Sequence, residues 1–386
     1  MLVVVLAAFD QTAVATALPV IARELRESRQ MSWVFSAYLI ASTVVIPLYG
    51  RLADHFGTKT TIIGALAFFV CGSLACGASQ SLVQLILARA LQGAGGGGLL
   101  TLAMVATASI YPPQQRGRAL GVIGAVYGMS TLTGPLLGGW ITDLLGWRWI
   151  FLINVPLGLL ATGLIASSFP GQRELRKQAV DYLGALLLAL VLILLLLSTQ
   201  RDGAGRHQLL RLDLLGLAGV AFVGFLWHQS KADSPVMPLG MFRDRAFAGA
   251  CLLAAGSGVA LFVPVVFVPL YLQSARQLSP LAAAVHLLPF MAGIAFTSIG
   301  AGRWLAASGR AQALGLFGAL VSIACQLAIP RALGQGHGLS IAAILAVQGI
   351  AVGMLFPVAT MSCMVNAPLR LLGIATAAPL MFRSVG

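Results

Sequence analysis

The sequence predicts an all-α, multi-pass membrane protein made of two related halves with extra helices between them. Three observations carry this. First, 59% of the 386 residues are hydrophobic and only 9% are charged, with a mean hydropathy of +0.92. Soluble domains carry about 25% charged residues, so this chain has more apolar surface than soluble cores can hide. Second, the apolar residues fall in runs of about 20, the length that crosses a bilayer as a helix. Third, a charged interruption recurs. Gly50-Arg51-Leu52-Ala53-Asp54-His55-Phe56-Gly57-Thr58-Lys59 and Gly302-Arg303-Trp304-Leu305-Ala306-Ala307-Ser308-Gly309-Arg310 both open on Gly-Arg and carry a second glycine at the same spacing. Ala306 stands where the first has Asp54. Like interruptions between apolar runs suggest related halves, as in many secondary transporters. Glycine and arginine are also common at helix ends, which leaves coincidence as the alternative.

The apolar stretches run roughly over 1–21, 33–50, 60–79, 83–110, 118–142, 149–169, 182–199, 210–229, 246–272, 280–302, 311–330 and 338–364, about twelve in all. A thirteenth begins near Leu371 and is cut by the chain end at Gly386, so the chain is expected to be C-terminally incomplete. The first stretch runs into Asp10 without a basic leader, so no cleavable signal is expected. Two glycines in Gly50–Lys59 suggest a tight turn brought out at a membrane face, because its charges cannot sit in hydrocarbon. Six stretches precede Gly171, and the second interruption follows the tenth. The seventh and eighth are therefore the surplus pair. The seventh, nearly unbroken leucine until Ser198, suits a lipid-facing role. The expected division is an N-terminal six-helix bundle over 1–170, a cytoplasmic loop with two extra helices over 171–232, and a C-terminal bundle over 233–386.

The net charge of +13 comes from bases spread thinly over short loops, with no basic block, so nucleic acid is not an expected partner. The bases read as topology determinants. The side holding Arg51, Lys59, Arg116, Arg118, Arg173, Arg176 and Lys177 is the richer one, which puts it and the N-terminus in the cytoplasm. Cys71, Cys76, Cys251, Cys325 and Cys363 lie in apolar runs without metal or disulfide spacing. They read as small packing residues, and no metal or cofactor is expected.

Asp10 is the sharpest functional signal, about halfway along the first stretch. A carboxylate there costs about 2.5–3.5 kcal/mol on insertion scales. Low dielectric favours its neutral form, so it is suited to take up and release a proton. The alternative is a shortened helix with Asp10 near the surface. Arg89 opens the fourth stretch, where it would either hold a carboxylate ionised or snorkel to water. Gly93–Gly98 formally contains G-x-G-x-x-G, but no strand precedes it, and glycines at this density let membrane helices approach closely. Gly128, Gly134, Pro135, Gly138 and Gly139 lie on the fifth stretch, either as a bendable contact between moving parts or as ordinary small-residue packing. Trp33, Tyr38, Gln92, Asn154, Tyr271, Gln273 and Gln348 are candidates to line a cavity, although Trp and Tyr also belong at helix ends. His286 reads as the only ionisable group inside a C-terminal helix. After Asp244 there is no Asp or Glu, so acid-dependent coupling belongs to the N-terminal half. An enzyme needs paired acids, a nucleophile with its base, or metal ligands. Asp10 and His286, in different halves, do not supply these.

With these residues placed, the chain resembles the major facilitator superfamily, in its fourteen-helix drug:proton antiporter branch. Gly50–Lys59, with Asp54 as its acid, is similar to the cytoplasmic loop motif. Leu87–Gly93 resembles the helix 4 motif, with Arg89 as its base. Gly128–Gly139, with Gly134-Pro135, resembles the antiporter motif. Asp10-Gln11-Thr12 through Leu18-Pro19 resembles the helix 1 motif, and Trp147–Gly158 matches a further family stretch. The resemblance implies six helices, two extra, then six around a central cavity. It also implies that residues beyond 386 complete the last two helices. The implied activity is export of lipophilic or cationic drug-like compounds across the inner (cytoplasmic) membrane in exchange for protons. Asp10 and Arg89 would couple the proton, and Gly50, Arg51, Asp54, Gly57 and Lys59 would gate the cytoplasmic face. A metabolite facilitator or symporter is the alternative. Thr58 replaces a common base, and C-terminal membrane acids are absent. Substrate identity, proton stoichiometry and whether a periplasmic adaptor protein joins are not legible in the sequence.

Overall fold

The computed structural model describes residues 1–25, 31–169, 181–199, 208–232, 235–278, 285–308, 311–335, 338–365 and 371–385. The described elements are helices: α1 Leu2–Glu24, α2 Ser32–Phe56, α3 Thr58–Ala78, α4 Leu82–Ile110, α5 Pro113–Leu145, α6 Arg148–Leu152, α7 Asn154–Ser168, α8 Tyr182–Thr199 and α9 Gln208–Lys231. A short 3-10 turn, Leu239–Arg243, follows. Then come α10 Arg245–Ser274, α11 Leu288–Ser308, α12 Ala311–Gln335, α13 Gly338–Val365 and α14 Leu372–Val385. α6 and α7 form one crossing, interrupted at Ile153. Every expected stretch, the partial thirteenth included, holds a helix. Among the described residues, 9 helices are long and apolar enough to cross a membrane.

The helix ends follow local chemistry. Ser81 accepts the Gln84 N–H ahead of α4, and Asp244 accepts the Ala246 N–H ahead of α10. Pro113 opens α5, where its missing donor is not needed. Two sequence expectations change. Gly50 does not turn the chain: α2 continues through it to Phe56, and the chain reverses at Gly57 alone, at φ +84°. The tenth stretch was expected over 280–302, but its helix starts at Leu288, which leaves His286 ahead of it and half-buried. Residues 279–284 lie outside the described residues, as do the loop at 170–180 and the end of the second interruption, Gly309-Arg310.

In the N-terminal half, α4 packs on both α2 and α3, and α1 packs on α5. The glycine run on α4 makes this possible. A Cβ on Gly93 or Gly97 would strike the backbone of Tyr38 or Ser42 on α2. In the C-terminal half, α13 packs against α10, α11 and α12. The extra helices α8 and α9 pack mainly on each other, and α8 also touches α2. α8 buries Leu188, Val191 and Leu192 and exposes Leu183, Leu186 and Leu190 on its other side.

The halves meet chiefly where α5 crosses α11 and where α2 crosses α14, with smaller contacts of α5 on α13 and of α4 on α14. Both crossings lie toward the Gly57 side. Gly302 abuts the Gly117 backbone, Gly121 abuts Ser298, and Gly50 abuts Gly373. The missing side chain at Gly50 therefore permits a close crossing between halves rather than a bend.

Candidate functional site

Asp10, Tyr38, Ser73, Arg89, Gln92 and Asn154, from five different helices, meet in one fully buried cluster, each with 0% exposure. α1 supplies Asp10. α4 supplies Arg89 and Gln92, three residues apart and so on one helix face. Asn154 is the first residue of α7, placed there by the break after α6. Arg89 Nη1 donates to Asp10 Oδ2 at 2.6 Å and to Gln92 Oε1 at 2.7 Å. Gln92 Nε2 donates to Asp10 Oδ1 at 2.7 Å and to Ser73 Oγ at 2.8 Å, and Asn154 Nδ2 donates to Asp10 Oδ1 at 3.0 Å. Arg89 also lies 4.2 Å from the centre of the Tyr38 ring and donates through Nε to the Val34 carbonyl at 3.3 Å. Asp10 is thus surrounded by donors. A buried ion pair is costly to desolvate, but losing one partner is far worse. The Asp10 carboxylate is thus bound by one cation and two amides.

A central cavity of about 220 Å³ lies alongside. Ala7 and Gln11 of α1, Ser42 and Ile46 of α2, Gly97 and Leu100 of α4, and Tyr127 of α5 form one wall. Phe262 of α10 and Leu380 and Arg383 of α14 form the other. Gln11 adjoins Asp10 in sequence, and its Oε1 accepts the Tyr127 hydroxyl at 3.1 Å. The helix that carries the buried acid therefore also lines the cavity.

At the Gly57 end, Asp54 Oδ1 accepts the N–H of Gly373, in the first turn of α14, at 3.0 Å. Arg51 Nε donates to the Pro235 carbonyl at 3.0 Å, tying α2 to the linker after α9. Lys59 Nζ donates to the Ala166 carbonyl near the end of α7 at 2.7 Å. The three charges of this stretch thus hold three different segments.

The whole chain, residues 1–386, matches the model of the Major Facilitator Superfamily. The chain belongs to the major facilitator superfamily. It is 34% identical to an uncharacterized MFS-type transporter of Mycobacterium tuberculosis over 99% of this chain and 56% of that protein. It is 36% identical to multidrug resistance protein 3 of Bacillus subtilis over 75% of this chain and 57% of that protein. With the multidrug transporter protein MdtP of Bacillus subtilis the identity is 31%, over 98% of this chain and 70% of that protein. The chain spans about half the length of the first relatives it matches. Among solved structures, the proton:xylose symporter XylE superposes with a TM-score of 0.72 at 15% identity, covering 99% of this chain and 84% of that one. The human organic anion transporter MFSD10 superposes at 0.64 and 17%, covering 100% and 90%. These two show the fold. The protein is a multi-pass membrane protein of a transporter family, not an enzyme family.

Within this major facilitator architecture, the expected cavity residues divide. Gln92 and Asn154 turn inward to the Asp10 cluster, because a buried carboxylate needs donors more than a cavity needs amides, whereas Tyr38 joins it through its ring face on Arg89, its hydroxyl having no partner among the described residues. Gln348 is also fully buried, donating to the Ala260 carbonyl at 3.0 Å and to Ser322 Oγ at 3.1 Å. Trp33 is half-buried and absent from the cavity wall. Tyr271 donates to the Leu333 carbonyl at 3.4 Å within the C-terminal half. The side chain of Gln273 lies outside the described residues. On α5, Gly128 faces Ile294 of the other half, whereas Gly134 and Gly138 face Thr12 and Ala13 on α1, and Gly139 faces open space. The helix runs through Pro135 without a break. α5 thus separates the acid-bearing helix from α11. Arg383 was missed: it is inside α14 and 9% exposed, so the expectation that His286 is the only ionisable group inside a C-terminal helix does not hold. Three residues before the chain end, it has too little apolar sequence after it to show its depth. The absence of acids after Asp244 was the available clue.

Proposed function

We propose that this chain is the greater part of a proton-coupled exporter of lipophilic, drug-like compounds in the inner membrane, of the fourteen-helix antiporter type. Its bundles, 1–170 and 233–386, rock about the central cavity, and 171–232 adds two helices at the periphery. Asp10 is the proton site. Arg89 holds it in the ionised state and is released when the proton arrives from the far side. Gly128, Gly134, Pro135, Gly138 and Gly139 pass the change from α1 to the α5–α11 contact between halves. Asp54, with Gly50, Arg51, Gly57 and Lys59, holds the cytoplasmic face closed through the favourable charge at the start of α14. One proton driven by about 100 mV supplies about 2.3 kcal/mol, roughly a fifty-fold gradient. The relatives named for multidrug transport support the substrate class.

The observation that carries this reading is the fully buried Asp10–Arg89 pair on a helix that also lines the cavity. Full-length protein in proteoliposomes provides the test. Adding compounds from a lipophilic panel is expected to move protons opposite to the compound, and Asp10→Asn to abolish that movement. Unchanged coupling in Asp10→Asn removes Asp10 from the mechanism. Proton movement in the same direction as the compound replaces antiport with symport.

A further inference from the structure

Arg383 is a buried cation on the wall of the central cavity. Its side chain is 9% exposed, and Nε has no hydrogen-bond partner among the described residues. Its surroundings are aromatic: the guanidinium lies 5.1 Å from the Tyr127 ring centre and 4.8 Å from that of Phe356, and the Tyr127 hydroxyl is its polar neighbour. Among the described residues no carboxylate pairs with it. Asp10 is held by Arg89, and Asp54 is held by the Gly373 N–H at the closed end. Residues 245–386, which include α10 to α14, contain no Asp or Glu. Aromatic faces attract a guanidinium but cannot satisfy its in-plane donors, and beyond the hydrogen bond to the Tyr127 hydroxyl, Nε stays without a partner among the described residues. The group that completes such a fork is a planar oxyanion, bound through two parallel hydrogen bonds.

We propose that Arg383 anchors the anionic headgroup of the substrate, so that the preferred cargo is a lipophilic organic anion, a carboxylate or sulfonate on an apolar body. Ile46, Leu100, Phe262 and Leu380 supply the apolar wall beside it. The cavity of about 220 Å³ is smaller than the usual ligand pocket of about 300–1,000 Å³. In this conformation it therefore has room for the headgroup and part of the body. The same charge disfavours cations, which narrows the substrate class proposed above. The inference rests on the central cavity being the transport path, but not on Asp10 carrying the proton.

Two dyes with the same flat three-ring body, anionic fluorescein and cationic rhodamine 123, separate charge from shape. Binding is measured by fluorescence anisotropy with full-length protein in nanodiscs, against empty nanodiscs and without a proton gradient. Wild type is expected to bind fluorescein more tightly than rhodamine 123. Arg383→Gln is expected to weaken fluorescein at least tenfold while leaving rhodamine 123 unchanged or tighter, and Arg383→Lys to retain part of the fluorescein binding. The proposal is overturned if wild type does not bind fluorescein, if Arg383→Gln binds it as wild type does, or if both dyes weaken together. Loss of fluorescein binding in Arg383→Gln together with intact proton coupling in Asp10→Asn would uphold this site and reject the coupling reading. Coupling lost in Asp10→Asn with fluorescein binding unchanged in Arg383→Gln would do the reverse.

Discussion

Arg89 is the residue whose removal should hurt most. Without it, Asp10 keeps two amide donors but loses its countercharge at 0% exposure. Breaking a buried pair from one side costs about 3–5 kcal/mol. Arg89→Ala is therefore expected to lower unfolding stability by that amount in detergent, and Asp10→Asn combined with Arg89→Gln to recover much of it. Equal stability of Arg89→Ala and wild type would show that the pair is not held as described. Asp10 and Arg89 were legible in the sequence because a charge inside an apolar run is conspicuous. Ser73 was not, and Gln92 and Asn154 were misassigned to the cavity. Neutral polar groups are ordinary along membrane helices, and which of them reach one carboxylate depends on how five helices cross.

Helix positions were legible because a bilayer crossing needs about 20 apolar residues, so apolar runs show it directly. Gly50 shows where that reasoning ended. A glycine beside charges reads as a turn, whereas it serves a crossing of α2 with α14, about which the local sequence carries no signal. Gly50→Leu would insert a side chain where Gly373 and Ala377 already stand. The variant is expected to keep α2 and α14 apart. Spin labels at their Gly57-side ends should then give a longer, broader distance distribution than in wild type, and an unchanged distribution would deny that this crossing closes the face.

The α8–α9 pair has its own latch, just outside the membrane-spanning segment. Asp181 accepts the Gly184 N–H at 2.7 Å and Gln229 Nε2 at 2.8 Å, and it meets His228 Nε2 at 2.8 Å. Burial pushes the Asp181 carboxyl up, but the Gly184, His228 and Gln229 contacts outweigh it and hold the group below the usual carboxylate range. A depressed folded value means stability that is fully present above the ordinary aspartate value of about 3.9 and lost as pH falls through the lower folded value. Hydrogen-exchange protection at the start of α8 is expected to fall only in that acidic window. In Asp181→Asn, the pH dependence should disappear.

For the molecule as a whole, the repeat of charged interruptions pointed to two halves, and the α2–α14 and α5–α11 crossings are the main places where they touch. What the sequence could not carry was the conformation. Closure on the Gly57 side depends on contacts between distant segments, such as Asp54 with Gly373, and Arg383 acquires its meaning only when α14 brings it to a cavity lined mainly by the other half. The account at this scale is that a proton on Asp10 and a compound in the cavity exclude one another. Isotope-edited infrared difference spectroscopy on full-length protein reads this directly, through the carbonyl stretch of a protonated aspartic acid. Adding a transported dye at fixed pH is predicted to remove such a band in wild type, with no corresponding change in Asp10→Asn. A band indifferent to the dye, or one that responds equally in Asp10→Asn, would contradict the account.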